Sequence, residues 1–432
     1  MEIKTEHIRE KLYLCQKINN MQNEINLQDF KNILNYLIDN NKRLVDEGKY
    51  PLTIGCEGLP GCGKTSVIEQ IAKERGMTYV KVSLSQIEEI GDISGYPLKE
   101  FKVNELDENG NVISSKWVAQ DILSTYFQKP CETYEITTEH RMSYAPPAWL
   151  PREENPNGIL VTLDDWNRTN SVIMNCVMEI ICTGKYMTWE LPKYTTLVLS
   201  ANPDSGEFLV QSQDSAILTR YINFPVKFDI DIWSRYAEQV EMDSRVINFA
   251  LSYSSELFTS KDGVNVVNAR SYTMFGNAIS GLNDWSTTEN LSLILNIAKG
   301  CFPFDKDNVI GGLFTSFIAS KLDKLISPKD LLLKGWETVK KEIKDCVYDG
   351  DKYRPEIANI LATRLLNYIL LYFDTKGNKT SVVQDRLLDI INSKEKLFSE
   401  DLIFNIVKTL ATKHAAKMNK ILMIPSIRQK LL

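Results

Sequence analysis

Gly58-Leu59-Pro60-Gly61-Cys62-Gly63-Lys64-Thr65 has the spacing G-x-x-x-x-G-K-[ST], that of a loop built to hold a polyphosphate. Glycines let the backbone wrap closely with its N–H groups pointing inward. A helix starting at the loop's end adds the partial positive charge of its N-terminus. In that arrangement Lys64 reaches the β- and γ-phosphates and the Thr65 hydroxyl ligates Mg²⁺. Gly58 to Ser66 is therefore the expected ATP-binding run. A second chemical landmark is Gly158-Ile159-Leu160-Val161-Thr162-Leu163-Asp164-Asp165, an apolar strand ending in two acids. A buried strand throws its terminal carboxylate into the crevice at the sheet's carboxyl edge. Asp164 is the expected Mg²⁺ ligand, through water, and Asp165 the group that polarises an attacking water as general base. A third candidate is Asn202, at the end of the buried run Thr195–Ser200. It could hold that water or sense the γ-phosphate, or Asn202-Pro203 could simply open a turn.

The elements that position these groups follow from pattern. Pro51–Cys56 reads as a short buried strand before the loop, and Ser66–Arg75 as a helix after it, with Val67, Ile68 and Ile71 on one face. Residues 1–50 read as helical, with Leu27, Phe30, Ile33, Leu34, Leu37 and Ile38 at helical spacing. Thr78–Leu84 alternates as a strand. Gly91–Pro97 is expected as a turn-rich loop, Phe101–Trp117 as a hairpin with its tip at Asp107–Asn111, and Val118–Gln128 as containing a short helix. The segment 130–158, rich in proline and aromatics, is expected as a long functional loop. Ser171–Thr183 is a helix ended by Gly184. Asp214–Arg220 is a helix, and Tyr221–Phe228 a strand whose Pro225 suggests an edge. Beyond Ile230 the pattern is helical: 231–240, 244–257, 271–280 and 288–298 suit a small subdomain, followed by 310–325, 328–341, 354–372, 382–391 and 402–417. The division expected is 1–50, an N-terminal helical segment; 51–229, a P-loop core with an insertion at about 91–157; 230–300, a helical lid; and 301–432, a C-terminal helical domain.

Composition narrows the classes. The chain has 432 residues, 43% hydrophobic and 25% charged, which is ordinary for a globular protein of two or three domains. Fifty basic against 56 acidic residues, net −6, argue against broad non-specific nucleic-acid binding. Eight cysteines form no C-x-x-C pair and read as reduced thiols. One of them, Cys62, lies in the phosphate loop, where oxidation could block the nucleotide. Three histidines, His7, His140 and His414, do not suggest a multi-histidine metal site. No signal peptide is apparent, and no apolar run reaches the roughly eighteen residues of a membrane span. The expected location is the cytoplasm of a bacterial or phage-infected cell.

The order of motifs, Gly58–Thr65, Asp164-Asp165-Trp166-Asn167-Arg168, Ser200-Ala201-Asn202-Pro203, Ala216-Ile217-Leu218-Thr219-Arg220 and Ala269-Arg270-Ser271, resembles the MoxR branch of AAA+ ATPases, the dynein-related subfamily. Tyr144-Ala145-Pro146-Pro147-Ala148-Trp149-Leu150-Pro151 and the Trp233 segment are similar to a bacterial and phage subset of it. The resemblance covers about residues 30–280. It implies an α/β fold: a P-loop AAA+ core with a five-stranded parallel sheet, then a helical lid, with a further all-α region here. It also implies assembly into rings, commonly hexamers, with ATP and Mg²⁺ at the subunit junctions. By the same resemblance Asn202 would be sensor 1, Arg220 the arginine finger reaching a neighbour's γ-phosphate, Arg270 sensor 2, and Arg168 a residue near the subunit interface. The hairpin 101–117 would occupy the place of pore-facing insertions, and a partner carrying a von Willebrand factor A domain is common in the family. One departure is Asp164-Asp165 where the family has Asp-Glu. An acid one methylene shorter puts turnover, rather than binding, in question.

Three functions are consistent with these features. The first is an ATP-hydrolysing ring motor that remodels or activates a protein partner. The second is a nucleotide-gated assembly scaffold with slow or no turnover, and the third a DNA-acting AAA+ motor, which the net charge disfavours. Nucleic acid and membrane are not indicated as partners.

Overall fold

The structure, a computed structural model, describes residues 24–127, 133–204, 215–258, 267–319, 325–375, 377–393 and 395–425, with residues 210, 211, 213, 260, 261, 264, 265 and 427. The helical reading of residues 1–23 and the helix start at Asp214 lie outside them, as do His7, Cys15 and Cys131. The chain divides into two compact units, Met1–Lys227 and Phe228–Leu432.

The first unit is built on a parallel sheet. Its strands are β1 (Ile25–Asn26), β2 (Ile54–Glu57), β3 (Thr78–Ser83), β7 (Ile159–Asp164), β8 (Thr195–Ala201) and β9 (Ile222–Lys227), in the spatial order β1-β9-β2-β8-β7-β3. The five strands implied by the resemblance are joined by a sixth, the two-residue β1, whose Ile25 and Asn26 pair with Val226 and Lys227. Pro225 sits opposite Glu57 of β2 and before the β1 pairing begins, so its missing N–H costs no ladder bond on the outer side. Strands β2 and β8 lie in the middle, with β7 beside β8, and every residue of β8 is buried. Continuous apolar runs such as Ile159-Leu160-Val161 suit a strand covered on both faces. Each such side chain contributes about 1.5–3 kcal/mol on burial.

Helix α1 (Leu27–Asp46) is capped by Asn26, whose side chain accepts from the Asp29 N–H at 2.8 Å. Its apolar face buries Phe30, Leu34, Leu37 and Ile38, and Phe30 meets Phe224 of β9 edge-on. Lys31 pairs with Glu74 of the neighbouring helix α2 (Lys64–Arg75) at 2.8 Å, so the amphipathic N-terminal helix packs on the nucleotide-loop helix.

Between β3 and β7 lies a separate antiparallel sheet of β4 (Tyr96–Leu106), β5 (Val112–Ala119) and β6 (Tyr134–Ala145), ordered β5-β4-β6. The expected hairpin and its Asp107–Asn111 tip are present. The expected structureless stretch 130–158 is not: β6 alone is a 12-residue strand. Its sequence shows little apolar alternation because polar cross-strand pairs hold it. Arg141 reaches Glu100 at 2.8 Å, Lys102 reaches Glu139 at 3.1 Å and the Asn104 side chain donates to Glu135 at 3.0 Å. A small apolar face, Val103, Val118 and Leu123 with Phe101, Tyr134 and Ile136, is too sparse to announce a strand on its own. Likewise Gly91–Ser94 is a short helix rather than a loop, β5 runs to Ala119 and the helix after it is confined to Ser124–Phe127. At Gly95, φ is +84° and an added Cβ would come within 1.8 Å of the Ala145 carbonyl oxygen, so only glycine lets β4 and β6 meet there. The proline-rich connector then docks on the core: the Trp149 indole N–H donates to the Asp92 carbonyl at 3.0 Å, and its ring stands edge-on to Trp189. Helix α3 (Ser171–Thr183) follows β7.

The second unit is largely helical: α4 (Ile230–Gln239), α5 (Ser244–Ser252), α6 (Ala269–Ile279), α7 (Thr288–Cys301), α8 (Val309–Ala319), α9 (Pro328–Leu333), α10 (Trp336–Val347), α11 (Pro355–Asp374), α12 (Thr380–Ile391) and α13 (Glu400–His414). The single helix expected over 328–341 is two, broken where Gly335 caps the second. The helix expected over 244–257 also breaks, at Tyr253. An aromatic core of Phe249, Tyr272, Phe275, Phe302, Phe314 and Phe317 fills the first half of this unit, and an aliphatic core centred on α11 fills the second. Among the described residues no helix is long and apolar enough to cross a membrane.

Candidate functional site

Four parallel strands deliver the site. Strands β2, β3, β7 and β8 all end at the same carboxyl edge, and the chain leaves β2 for β3 across the two strands lying between them. Ligands bind at such reversals in open α/β sheets.

Strand β2 ends in the loop. Gly61 and Gly63 have φ of +76° and +101°, the left-handed region in which a side chain would be strained. Gly58 is needed for a different reason: a Cβ there would come within 2.6 Å of the Val226 carbonyl oxygen on β9. Helix α2 starts at Lys64, directly after the left-handed Gly63, so its unpaired N–H groups face the loop's interior. Lys64 is buried, and its ammonium donates to the Gly58 and Leu59 carbonyls at 2.6 and 3.1 Å. Cys62 is buried within the loop and Cys56 at the end of β2; burial pushes the Cys56 thiol well up, so it is inert as a thiolate at neutral pH.

Strand β7 brings the acids alongside. The Thr65 hydroxyl donates to Asp164 Oδ1 at 3.2 Å, joining the loop to the acidic strand across 99 residues of sequence. Lys81 of β3 lies 2.8 Å from the other oxygen, Oδ2. Burial pushes the Asp164 carboxyl up, but bonds from Lys81, Ser200 and Thr65 outweigh it and hold the group below the usual carboxylate range. Asp164 is thus ionised at neutral pH, as a metal ligand must be.

Asp165 follows in the left-handed conformation, φ +51°. Its Oδ1 accepts from the Asn202 side-chain amide at 2.8 Å, and Arg168 lies 3.8 Å from Oδ2. Asn202 is itself held: the Asn167 side chain donates to its carbonyl at 2.7 Å and accepts from its N–H at 3.2 Å. The Asn202 side-chain amide thus faces the second acid rather than folding back on its own turn.

Lys64, Thr65, Asp164, Asp165 and Asn202 are thus brought together. Arg220 is exposed just beyond the short helix Ser215–Leu218, and its guanidinium makes no ion pair among the described residues. Arg270 belongs to the second unit, exposed at the second position of α6, whose N-terminus carries a capping box between Asn268 and Ser271. Three contributors escaped the sequence reading: Lys81, Ser200 and Asn167. Lys81 left a trace, a lone charge inside the alternating strand Thr78–Ser83; Asn167 left none, because its partner is a backbone 35 residues away.

A family match agrees with the loop's geometry. Residues 56–108 match the AAA family, the ATPase family associated with various cellular activities. The matched stretch runs from the end of β2 through the phosphate loop to the β4–β5 tip and stops short of Asp164. An AAA ATPase domain implies ATP binding and ATP-driven activity. Among solved structures the chain is similar to the Thermotoga maritima RuvB Holliday junction branch migration motor, at 13% identity over 64% of this chain and 72% of that one, TM-score 0.33. It is also similar to a candidate ATPase from Cytophaga hutchinsonii, at 11% identity over 79% of this chain and 98% of that one, TM-score 0.29.

The donors at this site would suit Mg²⁺. Among the described residues no cluster of three or more His, Cys, Asp or Glu could cage a metal ion. Mg²⁺ needs none, since it keeps several waters and binds through one or two protein oxygens plus phosphates. Thr65 Oγ1 and the ionised Asp164 are placed to supply those oxygens.

Proposed function

We propose that this protein is a MoxR-like AAA+ ATPase that binds and hydrolyses ATP at the junctions of a homo-oligomeric ring and uses the cycle to remodel or activate a protein partner. The observation that carries the reading is the Thr65–Asp164 hydrogen bond, which closes the phosphate loop onto the acidic strand. Lys64 exchanges its two loop carbonyls for β- and γ-phosphate oxygens, and the N-terminus of α2 faces the same charge. Thr65 and Asp164 hold Mg²⁺, which neutralises phosphate charge when bound. Asp165 orients the attacking water and accepts its proton, and Asn202 fixes where that carboxylate points. Arg220, exposed, reaches the neighbouring subunit's γ-phosphate. A ring of hexameric type and a von Willebrand factor A domain partner are further parts of this reading.

A second reading, a nucleotide-gated scaffold, draws support from Asp165 itself. The side chain is one methylene short of glutamate and already engaged by Asn202 and Arg168. An offset of about 1 Å in the water can cost about a hundredfold in rate. Steady-state ATP turnover and oligomer mass, recorded together for wild type and Asp165→Glu, separate the two. Turnover by an assembled wild-type ring is the expected result. Assembly with negligible turnover, restored in Asp165→Glu, would establish the scaffold instead.

The trans role of Arg220 has its own test. Arg220→Ala is expected to bind ATP normally and lose hydrolysis by about a thousandfold or more. Mixed with Asp165→Asn subunits, it should recover part of the activity, because some junctions then pair an intact finger with an intact acid. No recovery at any mixing ratio would remove Arg220 from the site.

A further inference from the structure

Lys81 is the unexpected member of this site. It sits on β3 opposite Thr162, two residues before Ser83 meets Asp164 in the ladder. Its side chain is 42% exposed and that of Asp164 only 15%, so the lysine reaches inward from the wet edge of the crevice. A pair with one partner this exposed adds little to folding, so the fold does not depend on it. Its placement matters to the carboxylate instead. Thr65 engages one oxygen of Asp164 and Lys81 the other, the two oxygens through which the group would face a metal. Asp165 also contributes negative potential at the ammonium.

We propose that Lys81 is a resident counter-ion of Asp164 that Mg²⁺ must displace, so that this lysine sets the metal concentration at which the site takes up nucleotide. The proposal rests on the ATP-site reading above. Before the metal arrives, the ammonium neutralises Asp164 and keeps its carboxylate turned toward Thr65. A bare carboxylate there would repel a polyphosphate. When Mg²⁺ binds, it takes over the neutralisation, and one positive charge a few ångströms away opposes it. The flexible lysine stem and its half-exposed position allow the ammonium to withdraw toward solvent.

The consequence is a pair of opposite effects. In the full-length protein Lys81→Met is expected to lower the free Mg²⁺ concentration for half-maximal binding of a fluorescent ATP analogue by about tenfold, as expected for one nearby charge in a partly wet site. The same variant, measured in EDTA, is expected to bind the analogue more weakly than wild type, because Asp164 is then unneutralised. Lys81→Arg keeps the charge and should follow wild type in both. Thermal midpoints within a few degrees of wild type establish that the variants fold. An unchanged Mg²⁺ dependence in Lys81→Met overturns the proposal, and so does weaker binding at every Mg²⁺ concentration, which would make Lys81 a phosphate contact. Wild-type protein that binds no analogue at any Mg²⁺ concentration would defeat the ATP-site reading itself.

Discussion

Lys64→Ala is expected to weaken ATP binding by roughly a hundredfold or more, because two charge-assisted bonds to phosphate are lost together. The ammonium is already buried in the loop, where it donates to the Gly58 and Leu59 carbonyls. Binding trades those two bonds for phosphate oxygens, so little solvent has to be stripped at that moment. Alanine removes the charge and leaves a hole at the first residue of α2, with the helix N-terminus as the remaining attraction. Titration with a fluorescent ATP analogue measures the loss, and circular dichroism checks that the domain still folds. Affinity unchanged in a folded variant would show that the loop is not a nucleotide site. Lys64→Arg is a useful companion: a planar fork cannot replace a compact ammonium in this enclosed position, so charge alone should not rescue binding.

Arg364→Ala is expected to destabilise the second unit by roughly 3–5 kcal/mol, the cost of leaving a buried charge without its partner. Arg364, on α11, is 2% exposed. Its guanidinium forms a two-pronged pair with Glu238 of α4 and donates to the Asn248 side chain at 2.9 Å and the Ser244 hydroxyl at 3.0 Å. About one turn further along α11, the Asn367 side chain donates to the Ser234 hydroxyl at 2.9 Å. One helix of the closing region is thereby bolted to two helices of the segment that follows the sheet. The loss is read from the urea midpoint and from hydrogen exchange in α4, α5 and α11, which should all lose protection together. A change below about 1 kcal/mol would mean that water enters and solvates Glu238, as at an exposed pair. Replacing Arg364 and Glu238 together by apolar residues of similar volume should cost less than either single change.

Much of the first unit could be read directly because its determinants are local. The phosphate loop needs glycines at fixed offsets, and the strands on either side of the crevice are buried on both faces, so they appear as unbroken apolar runs. The same holds for the helix ended by Gly184 and for the amphipathic stripe of α1. Where the determinants are pairwise, pattern was silent. Strand β6 is held by charged and polar partners on β4, so its own residues look like loop, and only the register shows that they form a ladder. The breaks at Tyr253 and Gly335 split helices that composition alone would run together.

The candidate site divides in the same way. The residue types and spacings in the sequence determined the loop, the acid pair and an asparagine at a strand end, because each chemistry demands particular atoms at particular intervals. Only the tertiary structure decided how those atoms are joined. Parallel pairing of β7 between β3 and β8 sets Lys81, Thr65 and Ser200 around one acid, and the left-handed turn at Asp165 points the other at Asn202. The sheet order determines these contacts, and sheet order depends on which apolar faces can be buried together, a property of the whole chain that no single stretch contains.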